Sequence, residues 1–358
     1  MLPSPTRLVF ARLARAGLAN ELLVLAKAYL ASSALGFRLV SPPWGLNRRT
    51  YWPYFYHSPL GGLGGELARR TMPTLTFDER AYRETALLDY GAAVSAWASS
   101  CDVTRRRRLA IECEGLWGGL IAVDRSREFI RSTLLGTRFT QANITEFLGR
   151  RDPGKLLVGV HIRRGDFASG QAGTESLRGR WNTRISLDWF MKVCGSLDQE
   201  FGGHAQFAVF SDGSEHELAP VTGALKALAT FGQRHTDCSD LLLMSLCDVL
   251  ICSPSSYSLL AAWLSDRPYL WPAAQCRLED HHLSLWGSQP QRRPPSGSTA
   301  KDEPAVTPGE RDPMPRGLPV GDDGIVAASL LAHLERIVRL KDRRTDLIYY
   351  GAVRSSAS

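Results

Sequence analysis

No Cys-x-x-Cys pair occurs in these 358 residues, although seven cysteines are present, at 101, 113, 194, 238, 247, 252 and 276. An odd number of scattered thiols argues against a disulfide framework and a zinc knuckle, and points to a reducing compartment, the cytoplasm. Uninterrupted apolar runs of membrane-spanning length are also missing. Arg7, Arg12 and Arg15 precede an apolar region as in a signal peptide, but Asn20, Glu21 and Lys27 interrupt it, so no transmembrane segment is expected. Nothing repeats at a fixed period, which argues against a solenoid. Charge of one sign does not dominate: the net charge is +7, concentrated around Arg105 to Arg108 and Arg336 to Arg344. Without interleaved aromatics these blocks do not form a nucleic-acid track. They read as solvated faces, which an anionic nucleotide or, peripherally, an acidic membrane surface could meet.

What is present is ordinary for a globular enzyme: 44% apolar and 22% charged residues. The length makes two domains the default expectation. Helical spacing of Leu18, Leu22, Leu25, Ala26 and Tyr29 predicts a helix, followed by a strand at 37–40. Residues 78–150 read as mostly helical. From 156 the pattern alternates: strand 156–162, a long loop, helix 187–201, strand 206–210, helix 215–230, helix 240–247, strand 249–252, helix 256–265 and strand 268–271. Such alternation predicts a parallel sheet wrapped by helices. Eight of the twenty prolines fall between Ser288 and Gly321, which predicts a flexible insert, and helical spacing returns over Ile325 to Leu340. The boundaries that follow are an N-terminal domain over 1–150, a Rossmann-like domain over 151–287, the insert over 288–322, and a final helix and tail over 323–358.

The stretch from Leu156 to Phe167, LeuLeuValGlyValHisIleArgArgGlyAspPhe, is the most informative. A nearly continuous apolar run suits a parallel strand covered on both faces, and the carboxyl end of such a strand is where open α/β sheets bind ligands. Here that end carries His161, Arg163, Arg164, Gly165 and Asp166. Arg163 and Arg164 supply planar forks that match phosphate oxygens. Asp212 follows the apolar strand GlnPheAlaValPhe and so stands at another carboxyl end. Ser253, Ser255, Ser256 and Ser258 open a helix directly after ValLeuIleCys, where free backbone N–H groups attract phosphate. Pro254 removes one of those donors.

The motif HisIleArgArgGlyAsp, with ValPheSerAspGly at 209–213 and the run from Asp240 to Leu264, resembles the GDP-fucose-dependent fucosyltransferases, closest to the α-1,2 type. The resemblance is specific over roughly 156–272, and at the N-terminus Gly17 and Asn20 match the family's Gly-x-x-Asn turn. It implies a GT-B fold, two facing Rossmann-like domains with parallel sheets, with 1–150 on the acceptor side and 151–287 binding the nucleotide sugar. It also implies an inverting, metal-independent glycosyltransferase that moves fucose from GDP-fucose to a hydroxyl of a glycan or other acceptor. Another GDP-sugar, or a noncatalytic nucleotide- or glycan-binding relative, is the alternative.

By the resemblance, Arg164 or its neighbour Arg163 meets the β-phosphate and His161 lies near the nucleotide. Two arginines there can offset the charge on the leaving diphosphate, and no Asp-x-Asp is present to hold a metal, so no cofactor beyond the donor is expected. Asp212 could accept both hydrogen bonds from the guanine N1 and N2 edge, or cap the next helix. Ser253, Ser255, Ser256 and Tyr257 are candidates for the phosphate side, with helix capping as the ordinary reading of the serines. Asn20 either binds substrate or caps its helix. For the base, Glu175 matches by its Gly-Thr-Glu setting, while Asp166 stands close enough to an arginine to act as an organiser. Trp181 and Asn182 could face a sugar. The aromatic segment 41–77 either lines a sugar cleft or packs onto the core.

Overall fold

A computed structural model describes residues 6–14, 16–44, 51–56, 63–101, 103, 106–165, 184–201, 203–230, 233, 235–265, 267–273, 277–279, 282–284 and 317–340. Two parallel sheets organise them. The first is built from β1 (Thr6–Ala11), β2 (Arg38–Val40), β3 (Thr74–Phe77) and β4 (Arg108–Cys113), in the order β2-β1-β4-β3. Helices α1 (Leu18–Leu35), α2 (Trp52–Phe55), α3 (Leu63–Arg70), α4 (Glu79–Glu84) and α5 (Tyr90–Ser100) connect these strands. After β4 come α6 (Gly119–Ala122), α7 (Arg127–Leu135) and α8 (Thr140–Gly149).

The second sheet contains β5 (Leu156–Ile162), β6 (Ala205–Ser211), β7 (Leu228–Ala229), β8 (Val249–Ile251) and β9 (Tyr269–Pro272). Between them run α9 (Leu187–Glu200), α10 (Glu215–Leu225), α11 (Asp237–Leu246) and α12 (Ser256–Leu264). A short antiparallel pair, β10 (Arg277–Glu279) and β11 (His282–Ser284), precedes β12 (Gly317–Val320) and α13 (Ala328–Leu340). The order β12-β9-β8-β5-β6-β7 is parallel throughout. This is the expected α/β architecture with two parallel sheets.

β5 is buried along its whole length. It pairs with β6 on one side and β8 on the other, so the chain reverses its direction of winding between β5 and β8. At such a switch point the loops at the carboxyl ends part and leave a crevice. The first sheet has its own reversal, between β1 and β4.

Three expectations are corrected. The region 78–150 contains a buried strand, β4, which pairs with β1 over six residues. The predicted helix 215–230 ends at Leu225, because Lys226 adopts a left-handed conformation, φ 47°, and the chain leaves as β7. Residues 317–320, assigned to a flexible insert, pair with β9 as the edge strand β12; an edge needs hydrogen bonds on one side only, so Pro319 is tolerated there.

α1 has the length and mean hydropathy, 1.2, of a membrane-crossing helix, but 67% of it is buried inside the protein. Its faces carry Leu22, Val24, Leu25, Ala28 and Ala31, all buried. One hydrophobic core runs from Val9 and Ile111 of the first sheet to Leu250 and Trp271 of the second. The described aromatics of 41–77 belong to it: Trp44 stacks on Phe55 with ring centroids 3.9 Å apart, and Tyr51 and Tyr54 are buried. For these residues the packing alternative holds.

Candidate functional site

At the switch point β5 ends in a set of polar contacts. The Ser253 hydroxyl donates to the His161 carbonyl at 2.7 Å and accepts from the Arg163 N–H at 2.9 Å. This ties the end of β5 to the turn that follows β8. His161 is buried, its Nδ1 meets the Ser258 hydroxyl, and its ring lies 5.3 Å from that of Tyr257. Burial, with the Arg163 charge beside it, pushes the imidazole down to about 3, so it is neutral at physiological pH.

The two arginines part company. Side chains of successive residues leave an extended strand on opposite faces. Arg163 Nη1 stands 2.6 Å from Asp212 Oδ2, and the guanidinium keeps some exposure, 16%. Arg164 turns inward at 7% exposure, donates from Nη1 to the Ile185 carbonyl at 3.1 Å, and lies 3.4 Å from Glu217. Glu217 also draws in Arg184 at 3.3 Å. The Arg164 side chain is packed against Ile185 and Glu217. Of the pair, Arg163 keeps the greater exposure.

Asp212 serves both arginines, since its Oδ1 accepts the Arg164 N–H at 2.7 Å. Both carboxylate oxygens thus hold an arginine group, and the side chain keeps 29% exposure. Gly165 makes this contact sterically possible: a Cβ there would meet Asp212 Oδ2 at 2.1 Å. Gly165→Ala should therefore push Asp212 off Arg163, destabilising the chain by roughly 1–3 kcal/mol as overpacked sites do. Thermal unfolding and a GDP titration on the same sample would check it; unchanged values in both would contradict the assigned role of the glycine.

On the other side of the crevice, Ser255 caps α12 by accepting from the Tyr257 N–H at 3.2 Å. The Ser253 and Ser255 hydroxyls are thus engaged locally, and the half-buried Ser256 begins the helix. The Tyr257 hydroxyl donates to the Asp237 carbonyl at 2.5 Å, and the Tyr54 hydroxyl donates to the Asp237 carboxylate. Tyr54 follows β2, so the loops at the carboxyl ends of both sheets meet here.

A carboxylate that sequence reasoning did not single out completes this corner. Asp240, in the first turn of α11, is buried; Thr230 donates to its Oδ2 at 3.1 Å, while its Oδ1 has no hydrogen-bond partner. Burial raises its pKa to about 8, with the Thr230 and Thr236 hydrogen bonds opposing the shift. It lies between the carboxyl end of β7 and the start of α12, where burial, with the nearby Asp240 and Asp237, raises the Tyr257 hydroxyl as well. A buried acceptor without a hydrogen bond carries a free-energy cost that calls for a reason. The available signal was a charge heading the apolar run LeuLeuLeuMet.

Asn20 lies in the first turn of α1, where its N–H donates to the Gly17 carbonyl; Gly17, not Asn20, occupies the cap position. That corrects the capping reading. Asp166, Glu175, Trp181 and Asn182 lie outside the described residues.

No protein-family model and no curated protein sequence matches the chain. Among solved structures it is similar to fucosyltransferase NodZ from Bradyrhizobium, at 17% identity over 78% of this chain and 97% of that one, TM-score 0.46. It is also similar to NodZ α-1,6-fucosyltransferase co-crystallised with GDP, at 17% identity over 78% and 97%, TM-score 0.45. A third is POFUT1 in complex with GDP-fucose, at 12% identity over 75% and 98%, TM-score 0.46.

Proposed function

We propose that the chain is an inverting, metal-independent glycosyltransferase that moves fucose from GDP-fucose to a hydroxyl of a glycan or other acceptor. The observation that carries this reading is Arg163 held by Asp212 at the switch point between β5 and β8, opposite the start of α12. A fixed guanidinium there is preorganised for the charge that develops on a departing diphosphate. The amino end of α12 adds backbone N–H groups and a favourable dipole.

Asp240 supplies the acceptor for the base. Its open Oδ1 beside a Thr230-bound Oδ2 suits the paired donors of guanine N1–H and N2–H. His161, neutral and buried, serves as a positioning residue between β5 and α12. Fucose as the sugar rests on the resemblance of the motifs at 161–166, 209–213 and 240–264. Inversion requires one displacement, in which the acceptor oxygen attacks the anomeric carbon as the bond to the β-phosphate oxygen breaks. The acceptor proton passes to a base, for which Glu175 is the candidate, with Asp166 as an organiser.

Titration with GDP, GDP-fucose and ADP, followed by transfer assays on an acceptor panel with and without EDTA, tests the reading. GDP should bind more tightly than ADP, and turnover should survive EDTA. Selective turnover of a different GDP-sugar would reassign the donor. Binding of GDP without any turnover would favour the noncatalytic alternative, and the absence of GDP binding would overturn the whole proposal.

A further inference from the structure

The first sheet has a switch point of its own, and a cavity of about 560 Å³ opens at it. That volume is in the range of small-molecule sites. Its walls come from the end of β1 and the turn after it, the end of β4, and α3. Leu13 and Pro43 give an apolar side; Arg12, Arg69, Glu66 and Glu112 give a polar one.

The two carboxylates are in different states. Glu66 is saturated: Arg69 grips it with Nε at 3.0 Å and Nη2 at 2.7 Å, and Arg70 Nε adds a third bond at 3.0 Å. Those arginines hold its carboxyl down at about 2. Glu112 is the more deeply buried, with 6% of its side chain exposed, yet its Oε1 has no hydrogen-bond partner. Arg12 Nε and Arg69 Nη1 flank that oxygen at 3.7 and 3.6 Å, beyond hydrogen-bond reach.

A buried oxygen ion-paired to two guanidinium groups, neither of which hydrogen-bonds to it, fits one kind of guest. A hydroxyl donates one hydrogen bond and accepts two. Seated here it would donate to Glu112 Oε1 and accept from Arg12 and Arg69, satisfying all three. A phosphate or carboxylate without a proton has nothing to donate and would face Glu112 and Glu66 directly. Arg12 is steadied in place by Glu114, 2.9 Å from its Nη1. The turn that carries Glu114 is in turn fixed by the buried Lys27, which donates to the Gly115 carbonyl at 2.9 Å and lies 3.4 Å from the Trp117 ring centre.

We propose that this cavity is a binding site for a neutral saccharide, with Glu112, Arg12 and Arg69 reading one of its hydroxyls and Leu13 and Pro43 lying against its ring. On the donor reading proposed above, on which this assignment of role rests, it holds the acceptor. The cavity lies at the carboxyl ends of β1 and β4, as the nucleotide site lies at the carboxyl ends of β5 and β6.

The test uses the full chain without nucleotide, titrated with methyl glycosides of neutral hexoses and, for comparison, with glucuronic acid and glucose 6-phosphate. Saturation-transfer NMR and calorimetry provide the readouts. Neutral glycosides should bind, and Glu112→Gln and Arg12→Ala should each weaken that binding at least tenfold with GDP affinity at the parent's value. Arg12 is largely exposed, so its variant keeps the test valid if Glu112→Gln proves hard to fold. Absence of neutral-glycoside binding by the parent, equal binding of the charged probes, or full binding by both variants would overturn the site. A parent that binds glycosides but not GDP would leave this site standing and remove the donor reading alone.

Discussion

Arg163→Ala should weaken GDP binding roughly 10- to 100-fold, the effect of losing a charge-assisted hydrogen bond worth about 1.5–3 kcal/mol. Turnover should fall further, by about 10²–10³, because the same group is asked to meet charge that grows as the diphosphate leaves. The fold should survive, since Arg163 keeps partial exposure and its partner Asp212 retains the Arg164 N–H. Arg164→Ala should behave in the opposite way. Its guanidinium is packed at the Ile185 carbonyl and against Glu217, so removing it leaves a buried acceptor unpaired and should lower stability by roughly 1–3 kcal/mol. Calorimetry of GDP binding together with thermal melts separates the two. Parent-like GDP affinity in Arg163→Ala would remove this residue from the site.

The largest pH effect is expected at Asp240. Its folded pKa is raised, from 3.8 to about 8, so the contribution of its protonated form is fully present below pH 3.8. That contribution is lost progressively as pH rises through about 8. The shift corresponds to several kcal/mol, on the order of 5. Asp240→Asn, which copies the neutral carboxyl in shape, should match the parent near pH 4 and exceed it in Tm by a widening margin up to pH 8.5. A margin that stays constant across this range would mean that Asp240 is not held neutral by burial. In the parent, GDP should bind more tightly as pH rises from 6 to 8, because an ionised Asp240 is the better acceptor for guanine.

The second sheet was legible because its central strands are covered on both faces and therefore read as unbroken apolar runs. Leu156 to Ile162 is the clearest case, and its ends match the structure. β4 was hidden for the opposite reason. It follows a block of arginines and carries Glu112 inward, so its charges mask a strand that is otherwise buried. β12 was lost in proline-rich surroundings that an edge position tolerates.

Within the site, sequence located the strand ends but not the direction of each side chain. The motif does not say that Arg164 turns inward while Arg163 keeps the greater exposure, because that depends on the phase of the strand as it leaves the sheet. Asp212 illustrates the same limit: its place in the chain suits a base reader, and only the structure shows that it also holds Arg163 and the Arg164 N–H. Asp240 was passed over because an acidic residue in a helix's first turn is common, and this one stands out only when Thr230 is found on one oxygen and no hydrogen bond on the other.

The core that runs without a break from Val9 to Trp271 means that the two walls of the cleft are spaced when the chain folds, not when substrates arrive. A preformed separation reduces the ordering needed on binding. It also holds two reactants at a fixed approach, and the entropy of bringing them together is then largely met by folding. On the proposed function, the buried leucines and alanines of α1 would thereby help set the effective concentration at which two bound substrates meet.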